Sequence, residues 1–124
     1  MGILGIGVDV VALDRIEALC ARRAEQFAAR VFTEAEQKYF LPQPQIARIA
    51  ARFAVKEAVS KALGSGIGKI RWQEIETTNS STGAPQVQLY GEAASLAKER
   101  GVQRVHCSIS HERSVAVAMI ILEG

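Results

Sequence analysis

The sequence predicts an α+β fold, in which an antiparallel sheet packs against one long central helix. Residues 45–63 predict that helix, because apolar side chains recur there at three-and-four spacing: Ile46, Ile49, Ala50 and Phe53. Two pairs of strand-like segments, 69–78 with 86–90 and 103–110 with 114–122, are close enough in sequence to form hairpins. Helices and hairpins are mixed rather than strictly alternating, which favours α+β over a parallel α/β sheet.

The chain begins with a predicted buried strand over 2–11, whose two faces differ. One face carries only aliphatic side chains: Leu4, Ile6, Val8 and Val10. On the other face, Gly5 and Gly7 leave room for a close neighbour, and the acid Asp9 follows them. An acid beside two glycines in so apolar a strand is unusual.

Two helices are predicted between this strand and the long helix. The first starts with Asp14 as its N-cap and runs to about Phe27. The second starts at Thr33, which has capping-box spacing to Glu36, and it ends before Pro42.

Glycines and turn residues define the remaining connections. The long helix ends at Gly64, the first hairpin turns within 79–85, a short helix covers 91–100, and residues 110–113 join the last two strands. No internal repeat or linker is found, so residues 1–124 are predicted to form one domain.

Size and charge narrow the class of protein. The 124 residues, 48% of them hydrophobic, are enough for one domain with its own core. With 15 basic and 13 acidic residues, the net charge of +2 is no nucleic-acid signature, so we expect no nucleic-acid partner. The N-terminus lacks the pattern of a secretion signal, and no apolar run reaches membrane-spanning length. We therefore expect a soluble, cytoplasmic protein with no membrane partner.

The two cysteines and the arginines clustered near the N-terminus each have a simple interpretation. Cys20 and Cys107 lack metal-ligand spacing and suit small core residues in a reducing compartment. The first third of the chain is rich in arginine, which suits an acidic partner, although a solvated helix face is the commoner explanation. These arginines are Arg15, Arg22, Arg23 and Arg30.

Asp9 and Glu57 are the two acids embedded in strongly apolar surroundings. Glu57 falls near the middle of the buried stripe of the long helix, one turn after Phe53. An ionised carboxylate facing a core is costly unless it is paired or binds a metal. Singly, Asp9 is explained as a strand-end acid bonded to backbone amides, and Glu57 as the partner of Lys61 in an ion pair. Together they favour a magnesium site, with positions left for water and phosphate oxygens.

Basic residues on the long helix suit a phosphate-rich ligand. Lys61 lies one turn after Glu57 on nearly the same face, where its ammonium group would neutralise phosphate oxygens around the metal. Arg52 and Lys56 lie four residues apart on a flank of the helix. For Lys56, an ordinary solvated helix side is the favoured interpretation.

A histidine lies at the last predicted turn, in the run Ser108-Ile109-Ser110-His111. Strand alternation places Ser108 and Ser110 on the face opposite Ile109. A histidine at a turn is often structural, but phosphate binding by His111 and Ser110 is an equally good interpretation. A Ser–His–acid hydrolase has little support, because no nucleophile-elbow motif is present.

Seven short motifs spread along the chain: GIGVD at 5–9, RI at 15–16, FTEAE at 32–36, RFAVKEA at 52–58, KALG at 61–64, GI at 66–67 and SISH at 108–111. Their combination resembles the holo-acyl carrier protein synthases, the short branch of the 4′-phosphopantetheinyl transferases. The Lys-Glu-Ala-x-x-Lys helix paired with the early Gly-x-Asp is the most specific part. The resemblance extends over essentially the whole chain.

This resemblance implies an activity and a set of site residues. Members transfer the phosphopantetheine arm of coenzyme A to a serine of an apo acyl carrier protein, release adenosine 3′,5′-bisphosphate and require magnesium. By motif position, Asp9 and Glu57 would be the metal ligands and Lys61 would contact the pyrophosphate. His111 would bind coenzyme A phosphates, a ligand for which Arg52 and Ser110 are also candidates.

The resemblance also implies partners. Short-branch members form homotrimers with an active site at each subunit boundary. Longer members have a second acid two residues after the first metal ligand, where this chain has Val11, so a water would fill that coordination position. Acyl carrier proteins are expected to present an acidic helix, for which Arg15 and Arg22 are the natural docking residues.

The residues support a mechanism for this reaction, but alternatives stay open. Lys61 would stabilise the leaving phosphate, and the base would be Glu57 or a metal-bound water that Glu57 orients. One competing function is a non-catalytic module that grips an acidic protein. Another is a magnesium-dependent nucleotide hydrolase, for which water would be the acceptor.

Overall fold

The computed structural model describes residues 2–40 and 45–124. Within them, five strands, four α-helices and a 3₁₀ turn at Trp72–Glu74 follow one another in the chain. The strands are β1 (Ile3–Ala12), β2 (Ile75–Asn79), β3 (Pro85–Leu89), β4 (Arg104–His111) and β5 (Val115–Glu123). The helices are α1 (Leu13–Val31), α2 (Glu34–Phe40), α3 (Ile46–Leu63) and α4 (Gly91–Glu99). The predicted end of the second helix, before Pro42, lies outside the described residues.

An antiparallel sheet of three strands, in the order β1-β5-β4, packs one face against α3. The central strand β5 pairs with β1 on one side and with β4 on the other. In this register, Ala118 of β5 lies opposite both Asp9 and Ile109. A separate antiparallel hairpin joins β2 to β3. The predicted α+β class, with an antiparallel sheet against a long central helix, is confirmed.

Glycines allow β1 to approach α3 very closely. A Cβ atom at Gly7 would overlap the carbonyl oxygen of Ala58, and one at Gly5 would overlap that of Ala62. Any larger residue at these positions would therefore push the strand away from the helix. The two glycines explain how a strand residue and a helix residue can share one site.

Replacing Gly7 with alanine should destabilise the protein, because the added methyl group meets backbone that cannot move aside. Overpacking of this kind costs about 1–3 kcal/mol of unfolding free energy. Urea unfolding of the variant measures the loss. Gly2→Ala is the matched control, since nothing lies within 4 Å of a Cβ there, and an equal loss in both variants would contradict the close-packing explanation.

Helix α1 differs from its prediction at both ends. Its N-cap is Ala12, and Asp14 lies inside the first turn, so its negative charge faces the helix dipole without capping the helix. The helix continues to Val31, with a bend at Arg23, whose φ of −146° and ψ of 48° are not helical. No proline or glycine marks the bend. Beyond it, Phe27 packs against the rings of Phe32 and Phe53, at 5.6 and 6.0 Å between centroids.

The first predicted hairpin strand, over 69–78, is shorter than expected. It begins only at Ile75, because the residues before it form the 3₁₀ turn. Glu74 stabilises that turn by accepting hydrogen bonds from the backbone N–H of Arg71 and of Glu92, both at 2.7 Å. Local side-chain bonding of this kind competes with strand pairing.

Lys56 is buried, so its interpretation as a solvated helix side chain is wrong. Its ammonium group donates to Glu36 Oε1 at 2.7 Å, to the carbonyl of Trp72 at 3.0 Å and to the carbonyl of Ile75. Burial lowers the pKa of Lys56, and the Glu36 carboxylate opposes that shift. Glu36 also closes the predicted capping box, which is confirmed by reciprocal hydrogen bonds with Thr33 at 3.0 and 3.2 Å.

The face of the sheet away from α3 is apolar and open to solvent in the isolated chain. This corrects the prediction of a buried first strand, because only its glycine face is covered. The exposed side chains are Leu4 at 45%, Ile6 at 62%, Val8 at 52%, Val10 at 61% and Met119 at 44%. Among the described residues, no helix is long and apolar enough to cross a membrane.

Candidate active site

Asp9, Glu57 and Lys61 meet where β1 crosses α3. Strand alternation directs Asp9 to the same side as Gly7, which is the side that α3 covers. Lys61 Nζ lies 3.0 Å from Asp9 Oδ1 and donates to the carbonyl of Val8 at 3.1 Å. Glu57 lies one turn before Lys61 on α3. One residue of β1 and two of α3, each predicted as a site residue, are thus brought together.

The electrostatics of this cluster follow from burial and from two like charges. Burial raises the pKa of Glu57, and the nearby charge of Asp9 raises it further. The positive charges of Lys61 and Arg15 oppose that shift. Three charged groups therefore act on the Glu57 carboxylate at the crossing of β1 and α3.

Asp9 and Glu57 have the right chemistry to hold a magnesium ion. The charge of Asp9 disfavours the ionised form of Glu57, a divalent cation would relieve that repulsion, and oxygen atoms are the ligands that magnesium prefers. Within residues 2–40 and 45–124, no group of three or more histidine, cysteine or acidic side chains is placed to hold a metal. A magnesium ion on these two carboxylates would take its other ligands from water and substrate oxygens.

The simpler explanations for the two acids fit the geometry less well. Lys61 forms its ion pair with Asp9 on the strand rather than with Glu57 on its own helix. The pair is partly open to solvent, with side-chain exposures of 53% for Lys61 and 14% for Asp9. An exposed pair of this kind contributes little stability, so exchanging it for a contact with a ligand would cost the fold little.

Arg15 lies beside the cluster and Arg22 lies further out. The guanidinium carbon of Arg15 is 5.2 Å from the ring centroid of Phe53, one turn before Glu57 on α3. Arg22 is exposed two turns later on the same side of α1, just before the bend at Arg23. Both arginines are available to a partner that approaches the candidate site.

Arg52 is placed on the opposite side of α3 from Lys61, because nine residues amount to two and a half turns. It is only 5% exposed. Its guanidinium carbon lies 4.1 Å from the ring centroid of Tyr39, and Nη2 donates to Asn79 Oδ1 at 2.6 Å. Nε has no hydrogen-bond partner among the described residues. The group faces a cavity of about 230 Å³ lined by Ala35, Tyr39, Arg52, Thr77, Thr78 and Asn79.

Ser110 and His111 are exposed at the end of β4 and point to opposite faces of the sheet. His111 lies opposite Ala116, which is buried on the α3 side, whereas Ser110 lies opposite Val117. Both are two strands away from β1. Within one chain they are therefore not part of the Asp9 cluster.

Comparisons with known proteins show the family of this chain. A family model of the 4′-phosphopantetheinyl transferase superfamily matches residues 5–119. The chain is 44% identical over its whole length to the complete holo-[acyl-carrier-protein] synthase of Serratia proteamaculans. It is 48% identical to that of Anaeromyxobacter dehalogenans, with 98% of this chain and 97% of the relative covered. The chain belongs to the holo-acyl carrier protein synthase family.

A solved structure supports the same assignment at the level of the backbone. The crystal structure of Helicobacter pylori holo-[acyl-carrier-protein] synthase in complex with coenzyme A superimposes with a TM-score of 0.85 at 32% identity. The match covers 95% of this chain and 99% of the other. As a holo-acyl carrier protein synthase, the chain is an enzyme of the phosphopantetheinyl transferase class.

The surroundings of Arg52 were not predictable from the sequence. Tyr39, Thr77 and Asn79 come from α2 and β2, and none of them carries a motif of its own. Only the alternation of buried and exposed residues in β2 would have placed Thr77 and Asn79 on one face. Their approach to Arg52 depends on how the hairpin packs against α3.

Proposed function

We propose that this chain transfers the 4′-phosphopantetheine group of coenzyme A to a serine of an apo acyl carrier protein, releasing adenosine 3′,5′-bisphosphate, with a magnesium ion held by Asp9 and Glu57. The observation that carries the proposal is the convergence of these two carboxylates with Lys61 at a glycine-lined crossing of strand and helix. Family membership supports the transfer reaction.

The proposed reaction transfers the phosphoryl group that carries the pantetheine arm from coenzyme A to the serine oxygen of the carrier. The serine oxygen attacks the phosphorus that carries the pantetheine arm, and the bond from that phosphorus to the bridging oxygen of the pyrophosphate breaks. When bound, magnesium would withdraw charge from the phosphate under attack. The Lys61 ammonium group neutralises charge on the leaving phosphate. The serine proton needs a base, for which the candidates are Glu57, whose pKa is raised by burial, and a metal-bound water that Glu57 would orient.

The proposal is tested by incubating the protein with coenzyme A, magnesium and an apo acyl carrier protein, and then weighing the carrier. A mass gain of one phosphopantetheine group on the carrier serine is expected. Free phosphopantetheine with an unmodified carrier would indicate a hydrolase instead. A carrier that binds but stays unmodified, with coenzyme A intact, would indicate a non-catalytic module.

Lys61 and His111 are expected to affect different steps. Lys61→Ala should lower kcat/KM by tenfold to a thousandfold, or about 1.4–4 kcal/mol, because the variant loses charge stabilisation on the leaving phosphate. His111→Ala should act mainly on the dissociation constant of coenzyme A. Calorimetry with coenzyme A and steady-state kinetics separate the two effects. If His111→Ala keeps its coenzyme A affinity and loses only kcat, His111 is a proton-transfer group rather than a phosphate ligand.

We further propose a homotrimer whose active sites lie between subunits. Arg52 and Lys61 lie on opposite sides of α3, which favours an arrangement in which neighbouring chains each contribute one of these groups to a coenzyme A molecule. The reacting pyrophosphate would bind beside Asp9 and Glu57. Arg52, remote from that cluster in its own chain, would then receive the ribose 3′-phosphate. The open apolar face of the sheet supports assembly, because monomers rarely expose such a surface.

The carrier protein is proposed to dock on α1 through Arg15 and Arg22. Changing both residues to glutamate should raise the KM for the carrier and weaken its dependence on salt, because steering relies on charge complementarity. Coenzyme A affinity should be largely unaffected. Steady-state kinetics at low, intermediate and high ionic strength measure the KM for the carrier. An unchanged carrier KM across that range would mean that the arginines are only a solvated face.

A further inference from the structure

Glu36 is a buried carboxylate that the proposed reaction does not use, yet its hydrogen bonds link its own helix to two other elements. The residue is 1% exposed. Its Oε1 accepts hydrogen bonds from Lys56 Nζ at 2.7 Å and from the backbone N–H of Thr33 at 3.0 Å. Its Oε2 accepts one from the backbone N–H of Thr77 at 3.0 Å. A single side chain on α2 therefore holds both α3 and β2.

Helices α2 and α3 and strand β2 each carry a residue of the Arg52 cavity. On each element, that residue lies one turn of helix, or two strand positions, from the residue that takes part in the Glu36 contacts. A spacing of three or four residues on a helix, and of two on a strand, keeps a pair on the same face. The pairs are Glu36 with Tyr39 on α2, Lys56 with Arg52 on α3, and Thr77 with Asn79 on β2. The position of Glu36 thus determines the separation of the three groups around the cavity.

The two buried cations, Lys56 and Arg52, differ in the groups that balance their charge. Lys56 is neutralised directly by Glu36. Arg52 has no carboxylate within salt-bridge distance in the described part of the chain, and its guanidinium contacts neutral groups: the rings of Tyr39 and Phe40 and the amide oxygen of Asn79. Thr77 Oγ1, like Arg52 Nε, is buried without a partner among the same residues. An anion in the cavity would satisfy both atoms.

We infer that Glu36 is a positioning residue for coenzyme A: through Lys56 and Thr77 it holds Arg52, Tyr39 and Asn79 in the arrangement that receives a phosphate monoester. The inference rests on the proposed function, because it takes that monoester to be the 3′-phosphate of coenzyme A. Glu36 does not touch the ligand. Its removal changes affinity by letting α2 and β2 shift relative to Arg52.

The test compares coenzyme A with dephospho-coenzyme A, which lacks only the 3′-phosphate. Dissociation constants are measured by calorimetry without carrier protein for the wild type, Arg52→Ala, and the neutral pair Glu36→Gln with Lys56→Gln. Glu34→Gln, an exposed acid at the start of the same helix, is the matched control. We expect the wild type and the control to prefer coenzyme A by roughly tenfold or more, as for a charge-assisted phosphate contact.

In both other variants that preference should fall towards one. For the neutral pair, kcat at saturating coenzyme A should stay within about threefold of wild type, because the loss lies in ground-state binding. Adding Arg52→Ala to the neutral pair should cause little further loss of coenzyme A affinity, since residues that act through one another are not additive.

Stability is checked separately, so that misfolding is not mistaken for a positioning effect. Glu36→Gln alone leaves Lys56 as an unpaired buried cation and should melt earlier than the neutral pair, as expected when one partner of a buried pair is removed. Glu36→Asp keeps the negative charge on a shorter side chain, and its preference for coenzyme A over dephospho-coenzyme A should be intermediate. This variant replaces the neutral pair in the test if the neutral pair does not fold. A folded neutral pair or Glu36→Asp with the full wild-type preference would overturn the inference, as would a wild type without any preference. Intact preference without carrier modification would instead count against the proposed function.

Discussion

Replacing Asp9 with asparagine, or Glu57 with glutamine, is expected to lower kcat/KM for phosphopantetheine transfer by roughly a hundredfold or more, about 3 kcal/mol. Each change removes one of the two carboxylates that lie beside Lys61, and a single carboxylate would hold magnesium weakly against the charge of the pyrophosphate. Mass spectrometry of the carrier protein at limiting magnesium measures the loss.

Asp14→Asn is the matched control, because Asp14 is an exposed acid near the same strand end. Its rate should remain close to that of the wild type. Raising the magnesium concentration should partly rescue the Asp9 and Glu57 variants but not a variant damaged elsewhere. Near wild-type rates in both variants at limiting magnesium would contradict the metal assignment.

Glu57→Gln should also stabilise the metal-free protein at neutral pH. Burial and Asp9 raise the pKa of Glu57 in the folded state above its ordinary value of 4.5. The folded state therefore disfavours the ionised form, and that cost is fully present above the folded pKa and absent below about 4.5. In the presence of a chelator, the variant should melt higher than the wild type at pH 7, and the difference should vanish in acid.

Replacing Val8 with aspartate should weaken assembly strongly and lower the rate of transfer with it. Val8 is central in the open apolar face, with Ile6 and Val10 on either side. An unpaired charge buried in an interface costs about 2–5 kcal/mol, which weakens assembly by roughly 30-fold or more. Analytical ultracentrifugation measures the oligomeric state, and the carrier assay measures activity on the same samples.

Gln88→Asp is the control for this change, because Gln88 is exposed on β3, outside the open face. That variant should assemble and turn over normally. A Val8→Asp protein that is monomeric but fully active would overturn the proposal of sites between subunits. One that remains a trimer would mean that the open face is not the interface.

The Asp9 cluster was predictable because it depends on two local periodicities. The period of two in β1 places Gly5, Gly7 and Asp9 on one face, and the period of 3.6 in α3 places Glu57 and Lys61 one turn apart. The glycines then indicate which face of the strand meets the helix. The capping box of Thr33 and Glu36 was predictable for the same reason, since all its contacts lie within four residues.

What could not be predicted depends on packing between distant segments. Lys56 has the same helix position whether it is solvated or buried, and its burial follows from the approach of Glu36 and Trp72, each at least 16 residues away. The bend at Arg23 is unmarked by any residue that breaks helices. Similarly, the alternation of aliphatic residues in β1 favours burial of Val8 and Val10. It does not indicate whether they pack against the same chain or against another chain.

The open face of the sheet has a consequence for how this protein is handled. Under the proposed assembly, part of the free energy that keeps the chain folded is released only when protomers meet, so its melting temperature depends on protein concentration. Dilution then becomes a form of denaturation. Freshly synthesised chains also pass through a stage with an uncovered aliphatic surface, during which slow assembly competes with aggregation.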